Sequence, residues 1–260
     1  MDPIQSIGIF ALNFIQATGQ ICFLLADTFR CTFAYPFRFR LFWRQLWFIG
    51  VQSQGVVLIT GAFTGAVFAA QTQFQFGRLG MNSAVGPVVS VAMCRELGPV
   101  LCALMVAGRV GSAIAAEIST MKTTEQLDAL RALGIYPVQY LVVPRFAAMA
   151  LSMPILTSMA IFLGIGSGYL VAVPILGVDG VYYWENTVKF TVMKDVLIGL
   201  TKAFIFGMII CMISAHRGLH AAPNAEGVGQ ATTQAAVQSS IACLIANFFL
   251  TFLLNTILPD

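Results

Sequence analysis

Residues 84–116 read AVGPVVSVAMCRELGPVLCALMVAGRVGSAIAA, and only Arg95, Glu96 and Arg109 in that run carry charge. An apolar stretch longer than about 18 residues marks a helix that crosses a bilayer. At about 1.5 Å per residue this one outruns a hydrocarbon layer of about 30 Å, so it must tilt or project. The rest of the chain agrees. Of 260 residues, 58% are hydrophobic and only 10% charged, against about 25% charged in soluble domains. A soluble fold could not bury so much apolar side chain, whereas a bilayer solvates it.

Outward from this stretch, four further runs of span length lie at about 49–70, 146–176, 196–215 and 235–258. The predicted fold is an all-α integral membrane protein with five transmembrane helices. Residues 1–48 form an N-terminal interfacial region and 49–260 the transmembrane domain. Within 4–30, Gln5, Asn13, Gln16, Gln20 and Asp27 share one side of a helical wheel, with Ile7, Phe10, Phe14, Ile21 and Leu25 mainly opposite. That pattern predicts an amphipathic helix lying in the interface, with a sixth transmembrane helix as the alternative. Arg30, Arg38, Arg40 and Arg44, mixed with Trp43 and Trp47, suit the headgroup layer, and Pro36 breaks the segment in two. Asp2 and the lack of a basic start do not make a typical signal peptide.

Basic residues cluster before span one and between spans two and three (Lys122, Arg131, Arg145), with Arg217 between spans four and five. The positive-inside rule then places the N-terminus in the cytoplasm and the C-terminus outside. The net charge of +3 offers no dense basic face for nucleic acid. The six cysteines show no C-x-x-C spacing and read as buried free thiols. His216 and His220 read as solvated loop residues, so no metal site is predicted.

Three constellations stand out. Arg95 and Glu96 sit about 16–18 Å into span two, and Lys202 about 10 Å into span four, at 1.5 Å per residue. Charges at such depth are costly and need one another or a wet cavity. They form either a structural ion pair or the polar wall of a substrate path, and Gly98-Pro99 loosens the helix beside them. Within the polar stretch 117–145, Thr123 or Thr124 can cap a short helix ended by Gly134 and Pro137. Leu127, Leu130 and Leu133 give it an apolar edge. That helix is either a solvated connection or a docking element for a cytoplasmic partner. Finally, Gly61 and Gly65, and a second stripe from Gly108 to Ala116, let helices approach closely, within the chain or between subunits. No P-loop, H-E-x-x-H or nucleophile elbow is present, so no catalytic machinery is expected.

The runs Arg95-Glu96-Leu97-Gly98-Pro99, Ala107-Gly108-Arg109-Val110-Gly111-Ser112-Ala113, Ala116-Glu117-Ile118, Thr124-Glu125-Gln126-Leu127-Asp128-Ala129-Leu130 and Pro144-Arg145 resemble the MlaE family. These are permease subunits of bacterial ABC transporters for phospholipid and related lipids. The resemblance implies a homodimer in the bacterial inner membrane, each copy with an N-terminal elbow helix. It implies a cytoplasmic ABC ATPase, which binds the ATP and magnesium, so this chain needs no cofactor. It implies an external MCE-domain lipid-binding protein and a small STAS-domain partner. The docking helix then corresponds to Glu117, Thr124, Glu125, Leu127, Asp128, Leu130 and Arg131. Arg95, Glu96 and Lys202 correspond to a charged cluster in a lipid cavity. Asn247 stands where some relatives carry aspartate, which leaves the cluster with surplus positive charge. Phe68, Gln71 and Phe74, near the outer end of span one, are expected to line the lipid path. The competing reading is a secondary carrier or channel working without an ATPase, which would need internal repeats or matched helix breaks.

Overall fold

The computed structural model describes residues 3–34 and 38–257, and helix is the only regular structure among them. The expected break at Pro36 and the last residue of span five lie outside the described residues. Among the described residues, five helical runs are long and apolar enough to cross a membrane: Phe39–Gly77, Val85–Thr123, Val138–Ala172, Met193–Leu219 and Ala225–Ile257. All five expected spans exist, and all of them extend further at the end rich in arginine (hereafter the basic end).

The chain begins with α1 (Pro3–Ala34), which is not among the runs long and apolar enough to span. Two of its polar side chains, Gln20 and Asp27, turn toward the protein, while Gln16 is exposed. Gln20 Oε1 lies 2.9 Å from His216 Nε2, and Tyr136 donates its hydroxyl to Asp27 at 2.7 Å. Ile21, Leu24 and Leu25 pack on the core on the same side, while Leu12, Ile15 and Phe23 are left exposed. This arrangement suits a helix lying on the membrane side of the bundle.

Span one joins α2 (Phe39–Ile49) to α3 (Gln54–Gly77) through a tight turn at Val51–Ser53. Span two joins α4 (Val85–Ala92), α5 (Gly98–Val106) and α6 (Ser112–Thr123) through π-helical turns at Met93–Leu97 and Ala107–Gly111. After the short α7 (Gln126–Ala132), span three runs through a π-helical turn at Val138–Val142 into α8 (Val143–Ala172). At the far end α9 (Gly180–Phe190) starts on Asp179, whose carboxylate accepts from the amides of Val181 and Tyr182. Spans four and five are α10 (Met193–Leu219) and α11 (Ala225–Ile257). Span two packs against all the others, while span one packs on three, three on four, and four on five.

Small residues set the closest crossing. A Cβ added to Gly61 would lie 2.8 Å from Ala160 O, and one on Gly65 would overlap the backbone of Gly164. Ser167 Oγ donates across the same crossing to Ala62 O at 2.6 Å. The G-x-x-x-G of span one is thus a seam with span three inside the chain. Gly65→Leu should cost at least about 2 kcal/mol through overpacking, read as a lower melting temperature in detergent. Gly55→Leu, where nothing lies within 4 Å, should change it little.

Three expectations on single residues need correction. His216 is buried within α10, its ring stacked on that of His220 at 4.3 Å, rather than solvated in a loop. Arg145 is only 2% exposed and pairs with Glu117 at 2.8 Å, so it is no loop charge. Five cysteines are buried, but Cys22 is exposed.

Candidate functional site

The charged residues of span two meet spans four and five at one place. Pro99 has no N–H, so the carbonyl four residues earlier, Arg95 O, lacks its usual amide donor. Lys202, fully buried, supplies a donor instead at 2.9 Å. Its other two contacts go to Glu96 Oε1 at 2.7 Å and to Thr251 Oγ1 at 2.8 Å. An ammonium has three donors, and all three are used. The second carboxylate oxygen of Glu96 accepts from Asn247 Nδ2 at 2.9 Å. Thr251 Oγ1 also lies 3.0 Å from Glu96 Oε1, so both carboxylate oxygens are bonded.

Arg95 turns to a residue that sequence reasoning passed over. Its Nε donates to Asp195 Oδ1 at 2.5 Å, and Asp195 is 2% exposed. The other oxygen of Asp195 accepts the Val192 amide at 3.0 Å and so caps α10. A carboxylate in the first turn of a helix is favoured there by the orphan amides. With two cations and two carboxylates, the group is neutral. This corrects the expected surplus of positive charge: Asn247 needs no negative charge because Asp195 provides it. The group is closed toward spans four and five and open at one edge, where Glu96 keeps 38% and Arg95 26% of its side-chain surface.

The three span-one residues do not join this group. Phe68 packs against the far-end apolar cluster around Ala69, Val85 and Val89. Gln71 and Phe74 are exposed. α3 packs chiefly on α8, α4 and α5, whereas spans four and five pack on span two, so within one chain these residues belong to a separate surface.

The segment expected to dock a partner is partly rearranged. The hydroxyls of Thr123 and Thr124 donate back to Ser119 O and Thr120 O, at 3.0 and 2.9 Å. Both threonines therefore finish α6 instead of capping α7. Glu125 takes the N-cap place in the left-handed region, at φ 57°, a conformation that costs a residue with a side chain about 1–2 kcal/mol. The far boundary matches expectation. Gly134, at φ 72°, donates to Arg131 O while Ile135 donates to Leu130 O, the paired closure of a glycine-ended helix. Leu127 is buried, Leu130 half-buried and Leu133 74% exposed, while Asp128 and Arg131 pair at 2.9 Å on the outside. The outward apolar edge is therefore Leu130 and Leu133 without Leu127, because a seven-residue helix needs one side chain to hold it against the bundle.

A family model described as permease MlaE matches residues 42–253. The chain belongs to the MlaE permease family. It is 44% identical to a probable ABC transporter permease protein of Rickettsia typhi, over 96% of this chain and 92% of that one. It is 35% identical to the intermembrane phospholipid transport system permease protein MlaE of Haemophilus influenzae, over 96% of this chain and 97% of that one. It is also 38% identical to the chloroplastic protein trigalactosyldiacylglycerol 1 of Arabidopsis thaliana, over 75% of this chain and 57% of that one. The charged group, the glycine seam and α7 all fall within the stretch that the family model matches.

Proposed function

We propose that this permease moves phospholipid between the bacterial inner membrane and an external MCE-domain lipid carrier, driven by a separate cytoplasmic ABC ATPase. The observation that carries the reading is the neutral polar group of Glu96, Lys202, Asn247, Arg95 and Asp195, set deep among apolar spans with one open edge. A purely structural membrane protein gains little from such a group, since a packed apolar set of equal volume is often as stable. A path for an amphiphile needs a place where a headgroup can exchange polar partners without stranding a charge.

The proposed assembly is a homodimer. Span five supports it, since Val237, Ile241, Phe248, Phe249, Phe252 and Leu253 are each more than half exposed. A second copy against this face would bring its own span-one surface, with Phe68, Gln71 and Phe74, toward the charged group. On this reading the N-terminus is cytoplasmic and the C-terminus external. The ATPase, which holds the ATP and magnesium, docks on α7, and a STAS-domain protein accompanies it.

Purification of the chain from native membranes in mild detergent, followed by mass spectrometry, tests this. Copurification of a P-loop ATPase and an MCE-domain protein, with phospholipid retained, is the expected result. A chain that moves labelled phospholipid in vesicles without any ATPase would instead establish the secondary carrier.

A further inference from the structure

At the basic end, α2 and α6 stand apart: α2 packs on α8, and α6 on α10 and α11. Between them lies a cleft of about 690 Å³, within the range of small-molecule sites. Its inner end is apolar, lined by Phe48 from α2 and by Ala113 and Ala116 from α6. Its outer end is polar, with Arg44, Glu117 and Tyr140. The change from Ala113 to Glu117 takes about 6 Å along α6. A cleft that is polar at the membrane surface and apolar toward the bilayer centre has the layout of one lipid molecule.

Its charge is positive. Arg44 and Arg145 face a single carboxylate, Glu117, which is already paired with Arg145. Arg44 is exposed and has no ion-pair partner among the described residues. Arg109, outside the lining, lies over the Phe48 ring at 5.8 Å, and its donors reach only Ser53 and Gln52 among the described residues. Two lining side chains also hold buried polar atoms without a partner among the described residues: Arg145 Nε, a donor, and Gln45 Oε1, an acceptor. Arg145 as a whole is only 2% exposed.

We infer that this cleft binds one anionic phospholipid from the leaflet at the basic end, its phosphate toward Arg44 and Arg145 and its acyl chains over Phe48, Ala113 and Ala116. Phosphatidylglycerol serves as the anionic probe, and the exposed Arg44 guanidinium offers free donors to its phosphate. The inference rests on the membrane placement proposed above and not on net transport. A second copy of the chain and the ATPase are the competing occupants.

The test uses the full complex purified without ATP and without an external carrier. A photocrosslinker at Thr120, an exposed residue lining the cleft, should capture phosphatidylglycerol at least tenfold more than phosphatidylcholine from mixed vesicles. Native mass spectrometry should show one retained phosphatidylglycerol per chain, and Arg44→Gln should reduce its retention at least fivefold. Arg44 is exposed, so that variant keeps the fold. Capture of protein in place of lipid would overturn the assignment, as would equal capture of the two lipids or unchanged retention in Arg44→Gln. Loss of the crosslink with transport intact would remove this site alone. A retained crosslink with transport absent would remove only the transport reading.

Discussion

Replacing Lys202 with alanine should destabilise the protein by about 3 kcal/mol, the lower part of the range for breaking a buried pair. The loss strands Glu96 and leaves Arg95 O without its donor. The partial exposure of Glu96, at 38%, keeps the cost from being larger, because its carboxylate is not fully enclosed and keeps Asn247 and Thr251 as donors. The measurement is the melting temperature and yield in detergent. Lys202→Met combined with Glu96→Gln should recover part of the loss, since glutamine can still meet Asn247 and Thr251 while Arg95 O stays without its donor. The charge-swapped pair, Glu96→Lys with Lys202→Glu, should recover little. A carboxylate at 202 has no proton to give Arg95 O, so that carbonyl would face an anion. Substantial recovery by the swap would mean that the carbonyl contact does not matter and that simple charge pairing governs the site.

Leu130→Asp combined with Leu133→Asp should weaken ATPase association at least tenfold and leave melting temperature almost unchanged. Leu133 is 74% exposed and Leu130 half-buried, and apolar anchors ringed by charged groups carry most of the energy at docking sites. Asp128 and Arg131 provide that ring. Copurification of the ATPase and its stimulated hydrolysis rate are the readouts. Undiminished association would take α7 out of the coupling role. Leu127 is the wrong residue for this purpose: it is 4% exposed, so an aspartate there would disturb the fold before it reported on any partner.

Much of this arrangement is legible in the sequence because a bilayer imposes one rule along the whole chain. Apolar runs of span length gave five spans, and the depths of Glu96 and Lys202 pointed to the pair that forms. Span ends were less legible. Past the hydrocarbon layer a helix continues for as long as its hydrogen bonds and neighbours allow, as α6 does through Thr123. Partners set by tertiary contact were the least legible. Asp195 lies in the first turn of α10 among Val192, Lys194 and Val196, where nothing local distinguishes it from a solvated charge. Arg145 and His216 looked like loop residues because each follows or precedes a polar connection. Burial came from Glu117 in one case and from Gln20 on α1 in the other, partners more than 25 positions away.

The π-helical turns of span two bear on how this chain is lined up with its relatives. Such a turn holds one residue more than an α-helical turn would, and one residue rotates everything beyond it by about 100°. Two of them, at Met93–Leu97 and Ala107–Gly111, separate the surface bearing Glu96 from the surface where Gly111 meets Ser214. A one-residue gap placed within either stretch would look trivial in an alignment. In the folded protein it would restore a plain helix there and swing half a span to a new azimuth, moving Gly111 away from Ser214 or Glu96 away from Lys202.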